Sequence, residues 1–393
     1  MYRKQPSVYS STARISLVSS FLASLFLCKI APIENSDASG MNLMNVKTLK
    51  WDDILLHVCG GPTLRSKLGP EPVLGGEVIG NVGSWWVKRW GFSTECTVSP
   101  FTGDNPGTIV SLSSPGDVIL SLGTSTTLLV SLPPANEHGD APRHTTTTHL
   151  LSHPTTPHGY IAMLCYKNGA LAREYIRDHY ADGEWSKFDQ LVRSTPPGNS
   201  GYTGLYFPLH EIIPPNVVGD YFFKEATPIL GLPEKKYHPR AILESQLLSI
   251  RSKVESILSQ NEEAVKGLKR LLITGGGSTN EVVRQMASDI MNLDAYVGES
   301  KEGGSLGGAL LGLFAWWRSQ GNTGTFEEMK AGWKKDPSIG FTKVASPHHE
   351  TSRIYSGLID MYRQCEQIVV RYCARAVEDD WHNWKEEDER VLV

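Results

Sequence analysis

Val98-Ser-Pro-Phe-Thr-Gly-Asp-Asn-Pro-Gly107 leads through an apolar run into Gly116-Asp-Val-Ile-Leu-Ser-Leu-Gly-Thr-Ser-Thr-Thr-Leu-Leu-Val130. The second half holds two strand-like runs, Val118–Leu122 and Leu128–Leu132, joined through Gly123-Thr-Ser-Thr126. The first half reads as a strand, Val98–Phe101, entering a helix whose body is Thr108–Leu112. Pro106 suits the first helical position, where its missing N–H costs nothing. Asp104 and Asn105 then sit at the helix N-terminus, where the free amides and the dipole favour an ionised carboxylate. Such a group can accept a proton from a hydroxyl. Gly123 lets the chain turn sharply, and Thr124 and Ser125 offer hydroxyls and amides suited to phosphate oxygens. A proton acceptor beside a phosphate-holding turn is a phosphotransferase layout. Read alone, the same residues are also good turn and N-cap chemistry that needs no ligand.

Working outward, Leu271–Thr274 is a short buried strand, followed by the glycine loop Gly275-Gly-Gly-Ser-Thr279 and a helix over Asn280–Asn292. A strand, a glycine loop and a helix N-terminus together make a nucleotide cradle. No Lys follows the glycines, so this is no Walker A loop, and the spacing of a dinucleotide site is absent. Further helices are expected at Ile15–Leu27, Trp51–Cys59, Asn168–Tyr180, Trp185–Val192, Ala241–Leu258, Ser305–Ser319 and Ser352–Ala374. Strands are expected at Tyr160–Tyr166 and Ala295–Val297. Gly307, Gly308 and Ala309 mark a place of close helix packing. Strands alternating with helices through the second half imply an α/β fold.

The 393 residues suffice for two domains, and 40% hydrophobic with 20% charged residues is ordinary globular composition. A net charge of −4 without a dense basic patch argues against a nucleic-acid surface. The six cysteines form no Cys-x-x-Cys pair and have no His at metal spacing, which fits reduced thiols. The histidines between His144 and His158, and the His348-His349 pair, show no ligand spacing. The apolar run Leu17–Leu27 is too short to cross a bilayer, which takes about 20 residues. Ser16, Ser19, Ser20 and Ser24 share a helical stripe there, and a buried core helix is expected in preference to a targeting signal.

In this order, the motifs resemble the FGGY carbohydrate kinase family, most closely its eukaryotic, fungal xylulose-kinase branch. The resemblance is carried by Arg14 to Leu27, Ser36-Asp-Ala-Ser-Gly-Met-Asn-Leu43, Phe101-Thr-Gly-Asp-Asn-Pro106, Asp117 to Thr126, Ala162-Met-Leu-Cys-Tyr-Lys-Asn-Gly169, and Thr274 to Asn280 with Gly307-Gly-Ala-Leu-Leu311. It implies a ribonuclease-H/actin-like two-domain α/β sugar kinase with a cleft between its domains. The implied reaction is phosphorylation of D-xylulose by ATP with Mg2+. Asp104 would be the general base and Asn105 a sugar ligand. Gly123, Thr124 and Ser125 would lie along the phosphates. Gly275, Gly276, Gly277 and Asn280 would hold the adenosine, with Trp185 near the base. The implied division is a first-domain remnant over residues 1–96, a second domain with the nucleotide site over 97–375, and a charged mobile tail over 376–393. The setting expected is cytoplasmic, as a monomer or homodimer without nucleic acid or membrane.

One departure stands beside the match. The family's Asp-x-Gly/Ser-Thr phosphate loop, whose Asp helps hold magnesium, and its sugar-binding His and Arg have no counterpart here. The first domain therefore reads as incomplete, with apolar surface left bare between about Arg14 and Glu95. The alternatives are a nucleotide-binding remnant without turnover, or a kinase for another small sugar or polyol.

Overall fold

A computed structural model describes residues 1–114, 116–132, 147–258, 267–298, 302–331 and 340–391, with side chains as far as residue 374. The N-terminal part is a layer of short elements: α1 (Pro6–Ser11), α2 (Val18–Leu27), α3 (Asn35–Gly40), α4 (Asp53–Gly60), α5 (Leu64–Leu68) and α6 (Ser84–Trp90), with the two-residue strands β1 (Met44–Asn45), β2 (Lys50–Trp51), β3 (Gly80–Asn81) and β4 (Thr97–Val98). Asp52 caps α4 through the Ile54 and Leu55 amides, each at 3.0 Å. Gly91, at φ +72°, ends α6. Here a glycine adopts the left-handed turn at no steric cost.

Next come α7 (Asp104–Leu112), β5 (Asp117–Leu122), β6 (Thr126–Leu132), β7 (Thr148–Ser152), β8 (Tyr160–Tyr166), α8 (Gly169–Tyr180), α9 (Trp185–Arg193), β9 (Tyr202–Phe207), β10 (Gly219–Lys224), β11 (Thr227–Ile229), α10 (Tyr237–Leu258), β12 (Arg270–Thr274), α11 (Glu281–Met291), β13 (Asp294–Gly298), α12 (Gly303–Ser319), α13 (Phe326–Ala331), β14 (Phe341–Ala345) and α14 (His349–Val391). The main sheet runs β14-β13-β12-β5-β6-β8-β7. Its β13, β12 and β5 are parallel, β6, β8 and β7 continue antiparallel, and β14 closes the other edge antiparallel.

Both faces of this sheet are covered. Val118, Leu120 and Leu122 of β5 join the core under α8 and α10, while Ile119 points the other way to Ile109 of α7. That alternation is the pleat expressed in burial. Arg270 and Asp117 pair at the start of β12 and β5, at 3.0 Å from Nε and 2.5 Å from Nη2.

Five expectations are corrected. The strand before the Asp104 turn is only Thr97–Val98. The helix after it begins at Asp104, with Gly103 as N-cap, so Pro106 is its third residue. Trp51 lies in β2, outside the helix, because its indole is drawn inward to donate to the Pro70 carbonyl at 2.9 Å. The last helix continues past Ala374 to Val391. Most instructive is α2. Its Ser19, Ser20 and Ala23 are buried, while Val18, Phe21, Leu22 and Leu25 face outward. The serines turn inward because they have partners there, including the Asp37 carboxylate and the Leu17 carbonyl. His144 lies outside the described residues.

Candidate active site

A cavity of about 1160 Å³ opens between the turn before α7 and the carboxyl ends of β12 and β13. Phe101, Thr102, Gly103, Asp104 and Asn105 line one side. Thr274, Gly275, Gly276, Ser278 and Thr279 line the other, with Ser121 of the hairpin beside them. Two of the motifs separated by 170 residues of sequence thus face one space.

Asp104 is the exposed first residue of α7. Its Oδ1 accepts the Asn105 amide at 2.8 Å, and its Oδ2 has no partner among the described residues. Glycines of α12 bring that helix against this turn. A Cβ on Gly304 would stand 3.5 Å from the Asp104 Cα and Cβ, and one on Gly307 would stand 1.8 Å from the Gly107 carbonyl oxygen. Only paired glycines permit such an approach, and it fixes the start of α7 from one side.

The other side is fixed by residues that the sequence reading did not single out. Glu34 is fully buried. It accepts the Ser36 amide at 3.0 Å, the Asp37 amide at 3.1 Å and the Thr102 hydroxyl at 2.6 Å. Burial pushes its carboxyl up to about 7, against the pull of those three hydrogen bonds. Asp37 accepts the Ser19 hydroxyl and lies where a Cβ on Gly103 would meet its Oδ1 at 2.8 Å. Burial raises the Asp37 carboxyl, Ser19 opposes the rise and the charge of Asp104 adds to it. Ser36 and Asp37 belong to the stretch that carries the family resemblance, but nothing local to it points to Thr102.

On the nucleotide-loop side, Gly275 has φ +83°, and a Cβ there would lie 2.8 Å from the Leu122 carbonyl carbon and 3.0 Å from the Gly123 nitrogen. The glycine loop therefore lies flat on the β5–β6 hairpin, and the two motifs are neighbours. Nothing stands within 4 Å of a Cβ on Gly276, so that glycine presents bare backbone to open space. A Cβ on Gly277 would run into Leu122 at 2.8 Å. Thr124 is exposed at the hairpin turn, and its carbonyl accepts the Ala170 amide at 3.2 Å. Gly123, Thr124, Ser125, Gly277, Asn280 and Trp185 are not among the described residues lining the cavity.

Asn280 is the N-cap of α11. Its Oδ1 accepts the Val283 amide at 3.0 Å, and its Nδ2 donates to both oxygens of Asp189, at 2.9 and 3.1 Å. Trp185 sits one turn before Asp189 on α9, edge-on to Phe188 and under the Arg177 guanidinium at 4.9 Å. Arg284, absent from the sequence reading, is the sole cation lining the cavity among the described residues, and its buried Nε has no hydrogen-bond partner among them. A guanidinium and an open glycine backbone lining one cavity suit a polyphosphate. No group of three or more His, Cys, Asp or Glu is placed to hold a metal ion among the described residues. No helix of the described residues is long and apolar enough to cross a membrane.

Residues 1–111 match the N-terminal domain, and residues 118–316 the C-terminal domain, of the FGGY family of carbohydrate kinases. A probable D-xylulose kinase A of Aspergillus flavus is 40% identical over 401 residues, covering 94% of this chain and 68% of the relative. The chain thus spans about two thirds of that relative's length. Among solved structures, a xylulose kinase from Lactobacillus acidophilus superimposes with a TM-score of 0.74 at 17% identity, covering 95% of this chain and 71% of the other. A gluconate kinase from the same organism gives 0.71 at 18%, covering 94% and 70%. At such identities these two show the two-domain α/β fold and leave the sugar open. The paired domain matches and the fungal relative establish that this chain belongs to the FGGY family of carbohydrate kinases.

Proposed function

We propose that the chain transfers the terminal phosphoryl group of ATP to D-xylulose, giving ADP and D-xylulose 5-phosphate. The observation that carries this reading is the meeting of Asp104 and the open backbone of Gly276 across one cavity, in a chain similar throughout to a probable D-xylulose kinase.

Asp104 acts as the general base. With Oδ1 held by the Asn105 amide, Oδ2 is left to take the proton of the sugar's terminal hydroxyl. The sugar oxygen then bonds to the γ-phosphorus as the bond from phosphorus to the β–γ bridging oxygen breaks, releasing ADP. The Asn105 side chain, in the same cavity, both donates and accepts, which suits a neighbouring sugar hydroxyl. Gly275 and Gly276 offer backbone amides to the nucleotide, and Arg284 offers its guanidinium to the charge on the phosphates. Gly123, Thr124 and Ser125 lie outside the cavity lining, with Gly275 packed against Gly123, and their assignment to the phosphates is part of this proposal. Asn280 shapes the loop by capping α11, and its assignment to the adenosine, like that of Gly277 and Trp185, is part of this proposal. Magnesium, which family membership implies, meets no group of three or more His, Cys, Asp or Glu among the described residues. A cytoplasmic setting belongs to the same proposal.

Incubating the purified chain with ATP and D-xylulose is expected to release ADP in a xylulose-dependent manner. Asp104→Asn is expected to lower kcat by about 10²–10⁴-fold while nucleotide still binds. Unchanged turnover in that variant would remove Asp104 from the role of base. One second reading, nucleotide binding without turnover, is favoured by the sequence itself, in which the family's magnesium-holding Asp loop has no counterpart. ATP binding by calorimetry with no ADP release at saturating sugar would establish it.

A further inference from the structure

We infer that Glu34 is a positioning residue for the reaction, holding the turn that carries Asp104 through the hydroxyl of Thr102. The inference rests on Asp104 being the base.

Glu34 belongs to the N-terminal layer, and its backbone is anchored there. The Asn35 amide donates to the Val73 carbonyl at 2.8 Å, and the Val73 amide returns to Ile33 at 3.0 Å. Its carboxylate already caps the six-residue helix α3 through two amides. Capping alone needs only a short side chain such as Ser, Asp or Asn. The longer glutamate lets the same carboxylate also receive a hydroxyl from 68 residues further along the chain. That hydroxyl belongs to Thr102, two residues before Asp104. Gly103, between them, is pressed against Asp37, whose carboxylate Ser19 restrains. Thr102 and Gly103 are therefore seated against two carboxylates, Glu34 at the N-cap of α3 and Asp37 in its first turn.

The seat bears on the direction of Asp104. Gly103 takes the extended N-cap conformation, φ −71° and ψ 166°, which sets the first residue of α7. Its carbonyl accepts the Gly107 amide at 3.0 Å. Releasing Thr102 frees the backbone that aims the Asp104 carboxylate. General base work is steep in geometry, so a small misplacement is expected to fall on kcat.

The test compares Thr102→Val, which deletes the hydroxyl at nearly constant volume, with Thr102→Ser, which keeps it. Two readouts are taken: steady-state kinetics with D-xylulose and ATP, and amide exchange across residues 103–107. Thr102→Val is expected to lower kcat by about 10- to 10²-fold with the KM for ATP unchanged. Exchange across 103–107 is expected to quicken, and Thr102→Ser to restore both. Wild-type kcat and exchange in Thr102→Val would overturn the inference. So would a Thr102→Ser variant that recovers neither, or a loss that falls equally on ATP binding. If the unmodified chain shows no turnover, the reading of Asp104 as base fails. Exchange alone then decides whether Glu34 and Thr102 hold the turn, quickened exchange supporting it and wild-type exchange refuting it.

Discussion

Glu34 is an acid whose charge the fold resists. Its carboxyl stands at about 7 when folded, against 4.5 as its ordinary value, because burial outweighs the three donors around it. A raised acid binds its proton more tightly in the folded chain. Its contribution to stability is therefore complete below about pH 4.5 and is lost as pH rises to about 7. The groups facing it are Asp37, whose charge adds to the rise, and the neutral Thr102. Glu34→Gln mimics the protonated form at every pH. The unfolding free energy of the wild type relative to that variant is expected to increase by about 2–3 kcal/mol as pH falls from 7 to 4.5. Urea titrations of the two proteins across that range measure it, and a flat difference would mean that Glu34 stays ionised when folded. Asp104 could be found in the sequence because Gly-Asp-Asn-Pro-Gly announces a turn and a helix start within five residues. Glu34 could not, because its meaning depends on Thr102, and only folding brings the two together. Arg284 was hidden for a related reason: one arginine in an amphipathic helix looks solvated until its Nε is found buried without a partner.

At the scale of elements, the crossing of α7 and α12 sets the position of Asp104, the proposed base. Gly107 and Gly307 meet backbone to backbone, and a Cβ on Gly307 would lie 1.8 Å from the Gly107 oxygen and 2.4 Å from its carbonyl carbon. No rotamer relieves a clash with main chain. Gly307→Ala is expected to cost about 2–3 kcal/mol and to lower kcat by tilting α7. Gly308, one residue on, has nothing within 4 Å of a Cβ. Gly308→Ala is expected to stabilise by up to about 1 kcal/mol, since alanine is the better helix former. Urea midpoints of the two variants should move in opposite directions, and equal shifts would show that the crossing can open. The sequence marked this stretch as closely packed without saying which glycine carries the contact, because facing depends on the partner helix. Among elements with strong periods and clear stops, β5 and α11 were legible to within a residue at each end, whereas α10 begins four residues before the expected Ala241 and β6 two before Leu128. The strands β7 and β14, at the two edges of the main sheet, and β10 and β11, in a separate three-stranded sheet with β9, were not legible.

At the scale of the molecule, the apolar surface left bare is the feature that ordinary burial rules do not anticipate. Val18 is 76% exposed and Phe21 54%, on the outer face of α2. On α4, Ile54 is 76% exposed and Val58 60%, although their spacing alone would place them in a core. Period reveals which side chains share a face; it does not reveal which face has a partner. On α2 the inward face mixes Ser19 and Ser20, which find hydrogen-bond partners, with Ala23 and Leu27, which pack in a small core, while Val18, Phe21 and Leu25 are left outside. Contiguous apolar side chains facing water are uncommon on a monomeric surface and favour association. The native chain is therefore expected to bind an apolar dye such as ANS and to self-associate as its concentration rises. Phe21→Ser combined with Leu25→Gln should reduce dye fluorescence and raise solubility. Because both positions are exposed, the pair should alter unfolding free energy by no more than about 0.5 kcal/mol per site. Ser20→Leu, on the buried face, should instead destabilise by about 1–3 kcal/mol, since it removes a hydroxyl bonded to the Leu17 carbonyl and forces a larger side chain into filled space. Thermal melts and dye titrations of these variants decide the matter. A severe loss of stability from the outer-face pair would mean that this face is covered in the folded protein.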